Sequence, residues 1–238
     1  MNKRYRRHQE ERHKGISRSG IRDFILGFQD GLVNTLGLVL GVSSAIQSTK
    51  IILISGLAAA FAESISMAAV AYTSTKAAKE FYNSQLNREK NEISEMPDIE
   101  IQEVRQIYYK KGFRGKQLDS IVKKIISDKK VWLETMMAEE LKLFSDDYDK
   151  PVKSGLVVGV SAIIGSLIPI LPYFILPVKV GNIVAIILSI IILFAAGAIK
   201  AKIIRGNWKT SGFEMAVIGT LAALAGYLIG SLLGRIYG

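Results

Sequence analysis

One apolar run decides the fold class: residues 182–201 read NIVAIILSIIILFAAGAIKA. A helix needs roughly 20 mostly apolar residues to cross about 30 Å of hydrocarbon. This run supplies that length with a single charged residue, Lys200. It therefore predicts a membrane-spanning helix over residues 183–201.

Four other stretches have comparable length and composition. The two that come first in the chain contain the acidic residues Asp30 and Glu63, each costing about 2.5–3.5 kcal/mol at the centre of a membrane helix. The whole chain of 238 residues is 49% apolar, with a mean hydropathy of +0.26, which favours the membrane class. We expect an all-α integral membrane protein with five transmembrane helices, the other four over residues 24–46, 51–72, 155–175 and 213–233.

The basic residues are unevenly placed, and their placement predicts the orientation in the membrane. The net charge is +10, and eight of the 31 Lys and Arg residues lie in the first 22 positions. Another four, Lys200, Lys202, Arg205 and Lys209, join the last two predicted helices. By the positive-inside rule these segments are cytoplasmic. The basic surplus is therefore a topology signal that also attracts anionic lipid, and no nucleic-acid partner is expected.

A highly charged insert separates the second predicted helix from the third, on the same cytoplasmic side as the N-terminus. It contains 15 of the 21 acidic residues against 16 basic ones. Apolar positions recur at helical spacing, with breaks at Pro97, Gly112 and Gly115, which predicts a small domain of about three helices. The expected domains are a basic tail (1–20), helices one and two (21–75), the insert (76–153) and helices three to five (154–238).

Composition restricts the chemistry that the chain can perform. The sequence has no Cys, and its two His residues, His8 and His13, lie in the basic tail. Disulfides, thiolate zinc sites and His-based catalysis are therefore excluded or nearly so, and no prosthetic group is expected. Any metal site must use carboxylates, Met and backbone.

Polar residues inside the first two predicted helices are the first functional candidates. Asp30 is followed by Asn34 and Thr35, and an ionisable group in a membrane helix is by default a functional candidate. The alternative is that Asp30 lies near the interface and pairs with Arg22 or a headgroup. Glu63 and Met67 are four residues apart and share a helix face, where a carboxylate and a thioether suit a divalent transition metal.

The insert contains a second set of possible ligands. Glutamates recur at a spacing of three, which places each pair on one helix face, and a Met-Met-x-x-Glu cluster follows. Such pairs are more often solvated faces, and the residues alone do not decide between that reading and a metal site. The candidate ligands are Glu89, Glu92, Glu100, Glu103, Met136, Met137 and Glu140.

Glycines spaced by four or nearly so mark the first and fifth predicted helices. Small residues at this spacing allow two membrane helices to approach closely. One hypothesis is that helix one uses them for homodimerisation. The glycines are Gly27, Gly31, Gly37 and Gly41 in helix one, and Gly226, Gly230 and Gly234 in helix five.

Four segments together resemble the vacuolar iron transporter family, and the similarity covers nearly the whole chain from Arg22 onward. They are RDFILGFQDGLVNTLGLVLGVSSA (22–45), GLAAAFAESISMAAVAYTSTKAAKEFY (56–82), GSLIPILPY (165–173) and GAIKAKIIRGNWKTSGFEMAVIGTLAALAGYLIG (197–230). The resemblance implies a homodimer that exports Fe²⁺, and related ions such as Mn²⁺, Co²⁺ and Zn²⁺, from the cytosol in exchange for protons. The membrane is the cell membrane in a prokaryote and the vacuolar membrane in a eukaryote.

The resemblance also implies roles for particular residues. Asp30 and Met67 fall on the family's translocation path, and the seven insert residues fall on its metal-binding domain, so the metal reading of those glutamates becomes the preferred one. One departure concerns helix two: plant members have Gly-Glu-Tyr after the Ser-Met-Ala segment, whereas this chain has Ala71 before Tyr72. We infer that Glu63 supplies the missing charge.

Two functions from other classes remain as alternatives. One is a metal sensor or scaffold, in which the membrane helices only anchor the insert. The other is a membrane-bound ferroxidase, which is disfavoured because ferritin-like di-iron sites use Glu-x-x-His pairs and the insert has no His.

Overall fold

The computed structural model describes residues 18–144 and 150–237, and within them every regular element is a helix. Five of these helices are long and apolar enough to cross a membrane, which confirms the predicted number. In chain order the helices are α1 (Arg18–Ala45), α2 (Thr49–Glu95), α3 (Pro97–Lys110), α4 (Gly115–Ile126), α5 (Lys129–Glu139), α6 (Pro151–Ile170), α7 (Val178–Ile203) and α8 (Trp208–Tyr237).

The membrane-length helices are α1, α2, α6, α7 and α8. Residues 1–17 of the predicted basic tail and residues 145–149 of the insert lie outside the described residues. The chain divides into two compact units, Met1–Tyr72 with Val152–Gly238, and Thr73–Pro151. Helix α2 contributes to both.

Helix α2 is longer than one membrane crossing requires. Its 47 residues correspond to about 70 Å at 1.5 Å per residue, more than twice the hydrocarbon thickness. Only its first half is apolar, so residues 73–95 belong to the second unit and not to a membrane span. The helix ends where Pro97 begins α3, because a proline cannot donate a helical hydrogen bond.

Helices α1 and α6 pack with their backbones in direct contact. A Cβ atom added to Gly27 or Gly31 would collide with the carbonyl oxygens of Val158 and Ala162, and a Cβ on Gly165 would collide with that of Phe28. Only glycine permits this separation between the two helices. The first two predicted glycines of α1 therefore serve packing within the chain.

The other half of the α1 glycine series packs against α8. A Cβ on Gly226 would lie 2.5 Å from the Gly37 carbonyl oxygen, and Gly230 meets Gly41 in the same way. Gly234 follows against Ala45. Because both glycine series are engaged inside one chain, they give no support to homodimerisation through helix one.

The insert unit has an apolar core of its own. Val104, Trp132 and Met136 are among its buried members, packed with residues of α4 such as Leu118 and Val122. Gly112 and Gly115 have positive φ angles of 101° and 52°, which glycine adopts at low cost and which end α3 and begin α4. The Asp128 side chain accepts hydrogen bonds from the Lys130 and Val131 amides and caps α5.

Candidate metal-binding sites

Three glutamates of the insert converge on one point. One carboxylate oxygen from each of Glu89, Glu100 and Glu140 lies within 4.8 Å of the other two. They come from the end of α2, the first turn of α3 and the residue after α5. Such a cluster of oxygens is suited to a divalent cation, which would neutralise two of the three negative charges.

Burial makes these carboxyl groups retain protons. Glu89 and Glu100 are 3% and 4% exposed, and one oxygen of each has no hydrogen-bond partner among the described residues. Loss of solvation, followed by the hydrogen bond with Glu100 and the neighbouring negative charges, raises the pKa of Glu89 to about 8. Burial also raises the pKa of Glu100 and of Glu140. A metal ion must displace these protons to bind.

The remaining predicted glutamates lie around this trio. The Glu103 side chain is hydrogen-bonded to Glu140, and Glu92 adds negative charge to all three members of the cluster. Arg88 donates a hydrogen bond of 3.0 Å to Glu92. Both i,i+3 pairs therefore contribute to a single acidic site, with Arg88 as its compensating cation.

The structure also explains why Glu140 and not its neighbour joins the site. Glu139 forms ion pairs with Lys111 and Lys142, and the contact with Lys111 lowers the pKa of Glu139. In the described part of the chain Glu140 forms no ion pair, and it stands at the C-terminal end of α5, where the helix dipole is unfavourable to a negative charge. A bound cation would remove that penalty.

The two methionines are both buried, and Met136 belongs to the apolar core of the insert. Met136 has no exposed surface and packs in the apolar core of the insert with Val104 and Trp132. Met137 is 2% exposed. The role of the two methionines as metal ligands stays a prediction. For Met136, packing in the apolar core is a second explanation for the presence of an apolar side chain.

The membrane unit brings together the two acidic residues predicted from helices one and two. The Asn34 amide donates a hydrogen bond of 2.5 Å to Glu63 Oε1, and Asp30 lies within hydrogen-bonding range of Glu63 as well. Asp30 and Asn34 are one turn apart on α1, and Glu63 and Met67 are one turn apart on α2. Asp30, Glu63 and Met67 are partly buried, while Asn34 is exposed.

Two polar residues of α1 were not among the predicted ligands. Asn34 was visible in the sequence because it shares a face with Asp30. Asp23 carried no such signal: its carboxylate is buried, accepts a hydrogen bond of 2.6 Å from Ser154 and pairs with Arg22 at 3.1 Å. The alternative partner proposed for Asp30, Arg22, is therefore engaged by Asp23.

The sequence of this chain is similar to that of known proteins over nearly its whole length. The family model described as the VIT family matches residues 21–231. Vacuolar iron transporter 1 of Tulipa gesneriana is 31% identical over 221 residues, covering 92% of this chain and 90% of that protein. The vacuolar iron transporter of Centaurea cyanus is 32% identical over 222 residues, covering 93% and 90%.

A third relative, vacuolar iron transporter 1 of Arabidopsis thaliana, is 30% identical over 210 residues, covering 88% of this chain and 84% of that protein. The family match spans α1 to α8, and so includes both the converging glutamates and the Asp30–Glu63 cluster. This chain is therefore a membrane protein of the VIT family, the family of the vacuolar iron transporters.

Proposed function

We propose that this protein exports divalent transition-metal ions, Fe²⁺ first among them, from the cytosol. The observation that carries the proposal is the contact between Asp30 and Glu63 on two membrane-length helices, supported by Asn34. Two carboxylates in contact repel each other unless a cation or a proton lies with them. A purely anchoring pair of helices would gain nothing from this arrangement.

The donor set fits iron, the ion after which the relatives, the vacuolar iron transporters, are named. Two carboxylates and an amide oxygen are hard ligands, and the Met67 thioether is soft. This mixture suits Fe²⁺, and it also accepts Mn²⁺, Co²⁺ and Zn²⁺. Transport of those other ions is part of the proposal.

The insert serves in this scheme as a cytosolic collector. The positive-inside rule places the N-terminus and the insert in the cytoplasm. Its buried glutamates bind the ion when protons leave, and the ion then passes to Asp30, Glu63 and Met67. In a prokaryote the membrane is the cell boundary, and in a eukaryote it is the vacuolar membrane.

Proton exchange follows from the same carboxylates. A carboxyl group near a second carboxyl group in a poorly solvated site alternates between binding a proton and binding a metal ion. Protons that enter from the opposite side would release the metal from Asp30 and Glu63. Export and proton entry are thereby coupled in opposite directions.

A second copy of the chain would complete the membrane site. Asn34 is exposed, and Asp30 and Glu63 are only partly buried on the surface of one protomer. Carboxylates facing lipid are costly, so this face of α1 and α2 requires a cover. We infer a homodimer in which a partner covers these residues, using this face and not the glycines of α1.

The test is Fe²⁺ flux into sealed proteoliposomes containing purified protein, with anaerobic conditions and an internal fluorescent chelator. We expect flux that rises with an opposing proton gradient and that carries Mn²⁺ as well. Flux indifferent to the proton gradient would overturn the exchange. Metal binding by the purified protein without any flux would favour the sensor or scaffold function instead.

A further inference from the structure

A deep groove opens on the membrane unit between α1, α6 and α7, away from the Asp30–Glu63 cluster. Its volume is about 880 Å³, which lies in the range of about 300–1,000 Å³ typical of sites for small ligands. The wall is almost entirely apolar. On α1 it includes Phe24 and Phe28, whose rings stack with centroids 5.7 Å apart, and α7 contributes Ile192 and Ile199 opposite them.

The groove has the depth of one membrane leaflet. Along α1 it extends from Gly20 to Phe28, about 12 Å at 1.5 Å per residue, and along α7 from Ile203 to Ile192, about 16 Å. Half of a hydrocarbon core of about 30 Å is about 15 Å. The groove therefore fits an extended acyl chain that runs from the interface toward the bilayer centre.

Two lysines stand at one end of the groove. Lys153 lies in the first turn of α6 and Lys200 in the last turns of α7, so both are at the end of the bundle where α1 begins. No ion pair is found for either lysine in residues 18–144 and 150–237. Among the described residues that line the groove there is no carboxylate, and the charged ones, Lys153 and Lys200, are positive.

We propose that this groove binds an anionic glycerophospholipid, with an acyl chain along Phe24 and Phe28 and the headgroup phosphate between Lys153 and Lys200. Basic pockets between membrane helices recognise anionic headgroups in this way. The charge argues against the chain's own N-terminal segment as the occupant, because residues 1–17 are strongly basic. A zwitterionic lipid would fill the apolar part but would gain less from the two lysines.

The test is native mass spectrometry of the delipidated full-length protein in mild detergent, with phosphatidylglycerol or phosphatidylcholine of matched chains added. We expect phosphatidylglycerol to be retained at least tenfold better by the wild type. The double variant Lys153→Gln/Lys200→Gln should lose about fivefold for each lysine and about 25-fold in all. The matched control, Lys50→Gln/Lys179→Gln, removes the same charge from the first turns of α2 and α7, outside the groove lining, and should retain the lipid.

Two further measurements locate the lipid. Glycerol phosphate in excess should not displace phosphatidylglycerol, because the acyl chain supplies much of the binding. Ala196→Phe fills the groove and should reduce retention of both lipids, with size-exclusion chromatography confirming a folded protein. Equal retention of the two lipids by the wild type, unchanged retention in the double-lysine variant, or retention unaffected by Ala196→Phe would overturn the proposal.

Discussion

The two acidic sites of this molecule are built differently, although both use glutamates of α2. In the insert, Glu89, Glu100 and Glu140 converge, with Glu92 and Glu103 beside them and Arg88 as the compensating cation. In the membrane unit, Glu63 accepts a hydrogen bond from the neutral Asn34 amide and lies beside the Asp30 carboxylate. The insert therefore concentrates negative charge, whereas the membrane site has little beyond what one divalent ion neutralises.

This difference predicts different tasks for the two sites. A cluster of five interacting carboxylates, two of them buried, binds a cation strongly once it is deprotonated, because the metal relieves repulsion as well as desolvation. A site with two carboxylates and a neutral donor binds more weakly and releases its ion more readily. Binding strength suits collection in the insert, and ready release suits passage across the membrane.

The largest effect is expected from the membrane carboxylates. Asp30→Asn and Glu63→Gln keep the side-chain size but remove the charge that the metal requires. Because each variant loses a metal ligand, Fe²⁺ flux in proteoliposomes should fall by about 100-fold or more. Metal binding by the insert, measured by calorimetry on the same variants, should remain.

The matched control for these variants is Glu214→Gln, which removes an exposed carboxylate from α8. Its flux should stay within about twofold of the wild type. Asp30→Asn with normal flux would remove the membrane site from the path and erase the proposed division of tasks.

The insert should show the reverse pattern. Glu89→Gln and Glu100→Gln remove a charge from the converging cluster and should weaken metal binding by about 10- to 100-fold. Flux at saturating Fe²⁺ should change much less, because the membrane residues are intact. Glu134→Gln on the exposed face of α5 is the control and should leave affinity unchanged.

If Glu89→Gln lowers the maximal flux as strongly as Asp30→Asn does, the two sites form one functional unit. The comparison between a collecting and a passing site would then fail. A change in the half-saturating Fe²⁺ concentration, with the maximal flux unchanged, would support the distinction between the two sites.

Helical periodicity predicts which candidate ligands of the two sites share a helix face. Glu63 and Met67 at i,i+4, and Glu100 and Glu103 at i,i+3, share faces whatever the tertiary structure is. Hydropathy alone indicated five membrane-length helices, and the described residues contain five. The predicted bounds mark apolar spans and not whole helices, since a helix can continue beyond the hydrocarbon: α2 runs past residue 72 to Glu95.

Features that depend on packing between helices could not be predicted. The glycines of α1 suggested a dimer contact, yet each half of the series meets a different helix of the same chain, Gly31 against α6 and Gly41 against α8. Asp23 resembled an ordinary residue near the interface, and only the approach of Ser154 shows that it is buried. Burial of Met136 in the apolar core likewise depends on how three short helices meet.

A change of pH is expected to have an intermediate effect, which acts on metal binding by the insert. The pKa of Glu89 is about 8, so below that pH a metal ion must displace its proton. Mn²⁺ affinity, measured by calorimetry in the Asp30→Asn background, should rise by up to about tenfold per unit between pH 6 and 8 and then level off. Glu89→Gln should flatten this dependence.

The thermal stability of the metal-free protein should fall as the pH rises, whereas the metal affinity should increase. The folded pKa of Glu89 lies above its ordinary value of 4.5, so in the metal-free protein the destabilising contribution of this group is absent at low pH and grows as the pH rises. Its thermal midpoint should fall as the pH rises from 5 through 8, and Mn²⁺ should reverse that fall. A midpoint that rises with pH in metal-free protein would contradict the buried, protonated cluster.

The smallest effect is expected from Asn34, which orients a ligand and adds no charge. Asn34→Ala removes the hydrogen bond to Glu63, which is worth about 1–1.5 kcal/mol or roughly a factor of five to ten. Fe²⁺ flux should fall by about that factor, with metal binding by the insert unchanged. Asn34→Asp is the informative counterpart: a third carboxylate would make the membrane site more like the insert, so the metal should bind more tightly there and leave more slowly. Faster flux in Asn34→Asp would contradict the view that low charge permits release.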